Sequence, residues 1–460
     1  GKVPVESSTE GAAMIVALAV PPHVPFQPTV ICIGDVLLVS SSRDMAREGL
    51  KRLVQGGGPS KFDDPRLQEA LRRLPQPEDS LVFYDCRLQF TQMRGLVDFL
   101  RTAGQGDPNA ARVAGLMEVV FEEAAILDYE ITVEYTEGNL NRSVAFGKLM
   151  PGVENKTLGK VLGSGKPFTD WQAWVPANAL AFSLSTGANL HPLYERVMAI
   201  VKERFPEAEP GLAKFEEIQS QFGVHLDRDL LQAFSGEHVS VSLPATATSP
   251  MAGHGSFFAL RCAKPDRIRE LLHRLIDALK ENPVVAAQQI QLVKCADLEG
   301  FEEFSALALS PFGFKPVIGF RDGWMVFGSK ADDVKAVFAA KAGKSPTILD
   351  NKAFKQFNLE VKGPVQAIAY RNTAEDVRQV AAVLSQIGTM APMVLGMMAA
   401  HAKPEDLKPV QEAIALLPSL SKIVAKFDFL QATLSVTQPG DQPGTYQRRT
   451  VTVVRPAAGR

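Results

Sequence analysis

Apolar residues in the second half of the chain follow two periods, one typical of helices and one typical of strands. From Pro265 to Leu279 they recur every three or four positions, which predicts an amphipathic helix that begins at the proline. Short apolar runs bounded by Gly, Pro and Asp predict strands around it. These predicted strands cover residues 256–262, 289–295, 304–309, 317–320 and 324–327. A strand, a helix and four further strands indicate a mainly antiparallel sheet covered by helices, and hence an α+β fold.

A front segment, residues 174–250, precedes this pattern and has the same mixed character. Its predicted elements are strands at 179–185 and 238–243 and helices at 193–204 and 213–222. Together with the elements that follow, the front segment completes a predicted module that extends to residue 460.

One series of sequence patterns occurs twice, about 287 positions apart. Phe26-Gln-Pro, followed by a strand that ends in residues 36–42, corresponds to Phe314-Lys-Pro and residues 324–330. Two later landmarks follow in the same order, with 62–67 matching 349–354 and 81–84 matching 367–370. Three landmarks in one order predict an internal duplication.

The duplication defines the predicted domain organisation. Residues 1–150 form a first copy that is incomplete at its N-terminal side, because its match begins near Met14. A shortened copy and a copy whose front half has been removed both explain this. Residues 151–173, which are rich in Gly, Lys and Ser, are the predicted linker, and residues 174–460 form a second, complete copy. That copy carries about fifteen extra residues in a Met-rich helical insertion around 380–422.

Composition and charge exclude several classes of protein. The chain has 460 residues, of which 46% are hydrophobic and 22% charged, and its net charge is −2 without a basic cluster. Nucleic acid is therefore not expected as a partner. The four cysteines have no CxxC spacing and the seven histidines no metal-ligand spacing, so we expect neither a metal nor a cofactor. Cys262 and Cys295 each end a predicted strand, where buried free thiols are favoured over a disulfide.

Three local motifs resemble catalytic ones but lack essential parts. In Gly159-Lys-Val-Leu-Gly-Ser-Gly-Lys-Pro the first glycine is one residue too early for a phosphate-binding loop, and Pro167 replaces the hydroxyl residue, which indicates a flexible loop. Ser419 and Lys422 have the spacing of a Ser–Lys nucleophile pair, but the companion motifs are absent. His254 lies between two glycines, where a mobile loop tip is a better interpretation than a catalytic base. We therefore assign no catalytic residue.

The run from Val380 to Ala400 is uncharged and rich in methionine. Pro392 and several polar or glycine residues dilute it, so we expect no transmembrane span. A buried helix is the favoured interpretation, and the alternatives are the lining of an apolar pocket, a protein contact and peripheral contact with a membrane. The candidate ligand- or partner-binding residues are Met390, Met393, Met397 and Met398.

Two sequence stretches carry a resemblance to a known family: Val175-Pro-Ala-Asn-Ala-Leu-Ala-Phe-Ser-Leu and Phe222-Gly-Val-His-Leu-Asp-Arg-Asp-Leu-Leu-Gln-Ala-Phe-Ser-Gly-Glu-His-Val-Ser-Val. They resemble a bacterial domain-of-unknown-function family of large predicted exported proteins with repeated α+β modules. The resemblance covers residues 170–460 well and the first copy weakly. It implies a periplasmic, extracellular or cell-envelope location, with any export sequence upstream of Gly1, and it implies no functional residues.

Three functional hypotheses follow from these observations. The first is a non-enzymatic exported or envelope-associated protein with a structural or binding role, because a duplicated module without a catalytic motif favours surface contacts over catalysis. The second is a protein that binds apolar ligands or a membrane surface through the Met-rich helix. The third is a hydrolase whose site is assembled only by the fold.

Overall fold

The protein forms two compact units, Gly1–Arg72 and Arg73–Arg460, each of which is described separately below. The structure is a computed structural model. It describes residues 4–20, 27–56, 58, 60–244, 254–281, 286–306, 315–399 and 404–455.

The first unit is a four-stranded antiparallel sheet packed against a helix. Its elements are β1 (Val5–Glu10), β2 (Ala13–Leu18), β3 (Thr29–Ile33), β4 (Val36–Ser40), α1 (Arg43–Gln55) and α2 (Pro65–Leu71). Alternate residues of β2 and β3, among them Ile15 and Ile31, pack against Ala46 and Leu50 of α1. The side chain of Ser42 accepts a hydrogen bond from a backbone N–H of the first turn and so begins α1.

The second unit contains one sheet of 13 strands with helices on it. Its strands are β5 (Ser80–Asp85), β6 (Leu127–Glu137), β7 (Leu140–Leu149), β8 (Ala181–Ser185), β9 (Phe234–Leu243), β10 (Gly255–Cys262), β11 (Gln291–Lys294), β12 (Phe301–Ser305), β13 (Val317–Arg321), β14 (Trp324–Gly328), β15 (Ala367–Arg371), β16 (Leu430–Pro439) and β17 (Thr445–Val454). Its helices are α3 (Cys86–Ala103), α4 (Pro108–Ala124), α5 (Thr157–Gly163), α6 (His191–Arg204), α7 (Glu209–Phe222), α8 (Pro265–Lys280), α9 (Ala331–Lys341), α10 (Lys352–Lys355), α11 (Thr373–Ala399) and α12 (Pro404–Ala425).

Every pair of neighbouring strands in the large sheet is antiparallel. The strand order is β11, β12, β13, β14, β10, β9, β8, β15, β16, β17, β7, β6, β5. Strands from distant parts of the chain therefore meet twice, where β8 pairs with β15 and where β17 pairs with β7. The antiparallel sheets and the segregated helices confirm the predicted α+β fold.

The main core lies on one face of this sheet. In β9 the side chains of Val239, Val241 and Leu243 are buried, whereas the alternating Ser240 and Ser242 lie on the other face and are half-buried. The buried face packs against Trp171 and other aromatic side chains. Further aromatic residues of this core include Trp174, Phe354 and Phe357.

The predicted linker, residues 151–173, is ordered. It contains α5, whose Val161 is buried, and it supplies Trp171 to the core. Phe168 also forms a backbone bridge with Val365. The expectation of a flexible loop at Gly159 is therefore wrong, since this residue lies within α5. The division of the chain into two units reflects where it folds compactly and does not test whether a module is repeated. The predicted module bounds therefore remain a prediction.

Candidate functional site

An apolar pocket of 350 Å³ lies between α8 and the strands β11 to β14. All of its lining residues are apolar. They come from α8, from each of the four strands and from the residue that directly precedes β13. The lining residues are Leu272, Leu275, Ile276, Leu292, Phe304, Pro316, Val317, Ile318 and Phe327. A volume of this size falls at the lower end of the range of about 300–1,000 Å³ for small-molecule sites.

The helix wall of the pocket follows from the apolar stripe of α8. Ile268, Leu271 and Ile276 are buried, and the first two pack with Phe320 and Met325 of the sheet. The helix begins with Pro265 at its first turn, where the missing N–H of proline leaves no hydrogen bond unmade. The N-terminal half of α8 is thus closely packed, and the pocket opens beside its C-terminal half.

An ion pair between the half-buried Arg267 and the buried Asp229 fixes the N-terminal half of α8. Arg267 donates two hydrogen bonds to Asp229, from Nε to Oδ1 at 3.2 Å and from Nη2 to Oδ2 at 3.0 Å. Asp229 also accepts from the backbone N–H of His225 at 2.8 Å. The hydrogen bonds from Arg267 are the main reason that the pKa of Asp229 is lowered to about 2. The wall of the pocket is therefore held in place by a two-point contact.

The pocket exposes apolar side chains to solvent. Leu275 is 56% exposed and Phe327 is 37% exposed, although both lie beside other apolar groups. The strand wall arises because β11, β12 and β13 place Leu292, Phe304 and Ile318 on the face that α8 covers. An apolar ligand in this pocket would remove these exposed surfaces from water, a favourable change of about 25 cal/mol for each Å².

Polar groups lie next to this apolar lining. Glu302 of β12 lies opposite Ile318 of the neighbouring strand β13. Its side chain contacts His273 of α8, with 3.1 Å between the histidine Nε2 and a carboxylate oxygen. This pair joins the helix to the sheet. It also places a titratable group beside the pocket, while the lining itself remains apolar.

The predicted Met-rich helix exists as α11, which begins earlier than expected, at Thr373. The side chains of Met390, Met393, Met397 and Met398 lie outside the described part of the structure, so their role stays a prediction. None of the described residues of α11 lines the apolar pocket.

The helical hairpin α11–α12 exposes apolar side chains on both helices. On α11 these are Val380, Val383 and Ile387, each about half exposed and spaced as one face of a helix. On α12 the exposed residues Leu416, Leu420 and Ile423 have the same type of spacing. Within the described part of the chain, no helix combines the length and the apolar character needed to cross a membrane.

The other candidate motifs remain separate from the apolar pocket. Ser419 and Lys422 are both exposed on α12. His254 is half-buried, and neither of its ring nitrogens has a hydrogen-bond partner among the described residues, so no described carboxylate orients it as a base. The described residues also contain no cluster of His, Cys, Asp and Glu that could hold a metal ion.

The four cysteines are free thiols. Cys262 ends β10, and Cys295 follows β11, which is four strands away in the sheet. The interpretation of these two residues as buried free thiols therefore agrees with the structure, and burial raises the pKa of the Cys262 thiol.

Comparisons of this chain with models of known families, with curated proteins and with solved structures find no match. The apolar stripe of α8 predicts the helix wall of the apolar pocket, but no sequence pattern indicates that a gap remains between this helix and the strands.

Proposed function

We propose that the protein is a non-enzymatic binding protein that takes an apolar ligand in the pocket between α8 and β11 to β14. The observation that carries this proposal is the wholly apolar lining, of which Leu275 and Phe327 are exposed. A core that merely supports a fold normally buries such groups, whereas a binding site leaves them accessible. The ligand class is a small molecule or chain without charge in its buried part.

The proposed test measures binding of N-phenyl-1-naphthylamine, an uncharged dye whose fluorescence rises in apolar surroundings. We expect saturable binding to the unchanged protein and a loss of at least about tenfold in affinity for Leu275→Glu, because a carboxylate would have to be desolvated in the pocket. Leu275 is more than half exposed, so this variant should fold. Circular dichroism checks that expectation.

The matched control is Leu279→Glu. Leu279 is exposed on the same helix, one turn further on, and does not line the pocket. This variant should bind the dye like the unchanged protein. If neither variant affects binding and replacement of Met393 and Met397 by Asp abolishes it, the Met-rich helix is the site. Absence of saturable binding to the unchanged protein would sink the proposal.

A second candidate function is peripheral contact of the α11–α12 hairpin with a membrane. It is favoured by the exposed apolar rows on both helices, since amphipathic helices bind bilayers through such faces. We expect Ile387→Glu to weaken cosedimentation with anionic phospholipid vesicles. Ala382→Glu, at an exposed position outside the row, is the control. Equal sedimentation of both variants and the unchanged protein would refute this function.

We further propose that the chain contains a duplicated module. In support, the elements β1 to β7 with α1 to α4 follow the same order as β11 to β17 with α9 to α12. The match extends to local hydrogen bonds, because the backbone N–H of Ser60 donates to Asp63 and that of Thr347 donates to Asp350. In each case the next residue caps a helix.

The proposed export and envelope location rests on the resemblance of residues 175–184 and 222–241 alone. Fractionation of cells that express the full protein tests this location.

A further inference from the structure

A second cavity, of 550 Å³, is lined by residues 166–170 and 172–174 together with side chains from β9, β10, β14 and α9. Unlike the apolar pocket, it combines charged and aromatic groups. Its titratable residues are Lys166, Asp170, Glu237, Arg261 and Lys341. Pro167, Phe168 and Ala173 add an apolar wall.

Three cations surround the turn between β13 and β14. Arg261 Nη1 donates to the backbone carbonyl of Asp322 at 2.9 Å, and Lys341 Nζ lies 3.6 Å from the Asp322 carboxylate. Arg321 stands directly before this aspartate. The turn is tight because Asp322 and Gly323 both adopt positive φ angles, of 53° and 76°.

Each of these cations lies over an aromatic ring. The distance to the ring centroid is 4.0 Å for Lys341 Nζ over Trp174, 5.6 Å for Arg261 Cζ over Trp324 and 4.8 Å for Arg321 Cζ over Phe338. Such contacts fix the cations in place without neutralising them. The two tryptophans are themselves in edge-to-face contact at 5.0 Å. The positive groups are therefore rigidly positioned.

The cations of the cavity and the adjoining turn, Lys166, Arg261, Arg321 and Lys341, exceed the carboxylates there, Asp170, Glu237 and Asp322, by one charge. Asp322 pairs with Lys341, but among the described residues neither Arg261 nor Arg321 forms an ion pair with a carboxylate. The buried Glu237 accepts its hydrogen bonds from the Ser235 hydroxyl and from the backbone N–H of residue 166. Burial lowers the pKa of Lys341, Asp322 partly offsets this effect, and the two neighbouring arginines lower the pKa further. A ligand anion would relieve this excess of positive charge.

We propose that this cavity binds a small organic anion, with its negative group at Lys341 and Arg261 and its flat apolar part against Pro167, Phe168 and Ala173. A carboxylate and a phosphate share the required chemistry, because both accept charge-assisted hydrogen bonds from an ammonium and a guanidinium. The aromatic and apolar wall selects for an organic anion over an inorganic one. This site is independent of the apolar pocket beside α8.

Tryptophan fluorescence can test this proposal, since two of the three tryptophans of the chain lie in this cavity. We expect benzoate and phenyl phosphate to change the emission saturably, with binding that weakens as salt is added. Neutral benzamide has a similar shape and should not bind. Saturation by benzamide with an affinity equal to that of benzoate would overturn the proposal, as would the absence of saturation by either anion. Binding by only one of the anions supports the site and identifies the preferred group.

Variants locate the binding. Lys341→Met keeps most of the side-chain length and should lower the affinity for the anion about tenfold, the loss expected for one charge-assisted contact. Lys341→Arg keeps the charge and should retain affinity within about threefold. Lys335→Met removes an exposed cation of the same helix and should have no effect. Equal losses for Lys335→Met and Lys341→Met would overturn the site. Leu275→Glu should leave the anion affinity unchanged, which separates this test from that of the apolar pocket.

Discussion

Removal of the charge of Asp229 should destabilise the second unit by about 2 kcal/mol at neutral pH. In the variant Asp229→Asn, the buried carboxylate that Arg267 holds at 3.2 Å and 3.0 Å is replaced by a neutral amide. Arg267 keeps its hydrogen bond to the carbonyl of Gly223 at 2.6 Å and its contact with Glu270 at 2.8 Å. The arginine therefore retains partners, and these contacts offset part of the free-energy cost of removing it from water.

The magnitude follows from the pKa of Asp229. It falls from an ordinary value of 3.8 to about 2, mainly because of the hydrogen bonds from Arg267. At about 1.4 kcal/mol for each tenfold change in the ionisation constant, this difference corresponds to about 2.4 kcal/mol. Removal of one partner of a fully buried ion pair costs about 3–5 kcal/mol, and the remaining contacts of Arg267 keep the expected loss below that range.

The pH dependence has a definite sign. Because folding lowers this pKa, the carboxylate contributes its full stabilisation above pH 3.8 and loses it as the pH falls from 3.8 to about 2. The difference in free energy of unfolding between the unchanged protein and Asp229→Asn should therefore be constant from pH 5 to pH 8, within about 0.5 kcal/mol, and should shrink below pH 3.8.

The assay is urea unfolding followed by tryptophan fluorescence. All three tryptophans lie in the second unit, at positions 171, 174 and 324, so the transition reports on that unit alone. Asp266→Asn is the control, because Asp266 is 94% exposed on the same helix and pairs with Arg269 at the surface. It should change the stability by less than about 1 kcal/mol. A loss for Asp229→Asn no larger than that of the control, or a difference that grows in acid, would refute this account of the ion pair.

Three further predictions concern other buried groups of the protein. Burial raises the pKa of Asp333, so its charged form opposes folding above pH 3.8, and Asp333→Asn should raise Tm by a few degrees at pH 7 and by less at pH 4 in a thermal melt. A Cβ at Gly147 would lie 2.2 Å from the ring of Tyr446 in the neighbouring strand, so Gly147→Ala should cost about 1–3 kcal/mol in urea unfolding. Because burial raises the pKa of the Cys262 thiol, this residue should react with a thiol reagent at pH 8 only after unfolding, whereas the half-buried Cys32 should react first, as peptide mapping can show.

Periodicity predicted individual elements well where one face of the element is buried. The stripe from Pro265 to Leu279 predicted α8 nearly to its ends, because six apolar positions repeat with the helical period. The strand predicted at 304–309 begins earlier and is described as Phe301–Ser305, and residues 307–309 of the prediction lie outside the described part of the chain. Glu302 and Glu303 are charged residues at the beginning of the strand, and their carboxylates contact His273 and Lys315 beside it. Local pattern cannot anticipate such tertiary partners.

The order of the strands required information that no local pattern contains. Residues Ala181–Ser185 pair with Ala367–Arg371, and Thr445–Val453 pair with Leu140–Lys148. Ala181–Ser185 and Ala367–Arg371 are apolar on alternate positions, a pattern that fits many partners equally well, and most of Thr445–Val453 has no such pattern. The composition of residues 151–173 predicted a linker because glycine, lysine and serine are common there, yet Val161 and Trp171 of this segment are buried. A few large apolar residues decide the packing of a segment more than its average composition does.

The apolar pocket shows why candidate sites are harder to predict than elements. Each of its lining residues, such as Ile276, Phe304 and Ile318, is by itself typical of a core, and the sequence places each on the correct face of its element. α8 is fixed to Asp229 near its N-terminal end and to Glu302 through His273, and a space remains between its apolar side chains and the strands. Periodicity specifies which side chains face one another, but the distance between them depends on the anchoring of whole elements. The Met-rich helix has an unusual composition, whereas the pocket consists of residues with ordinary composition in an arrangement that only the fold creates.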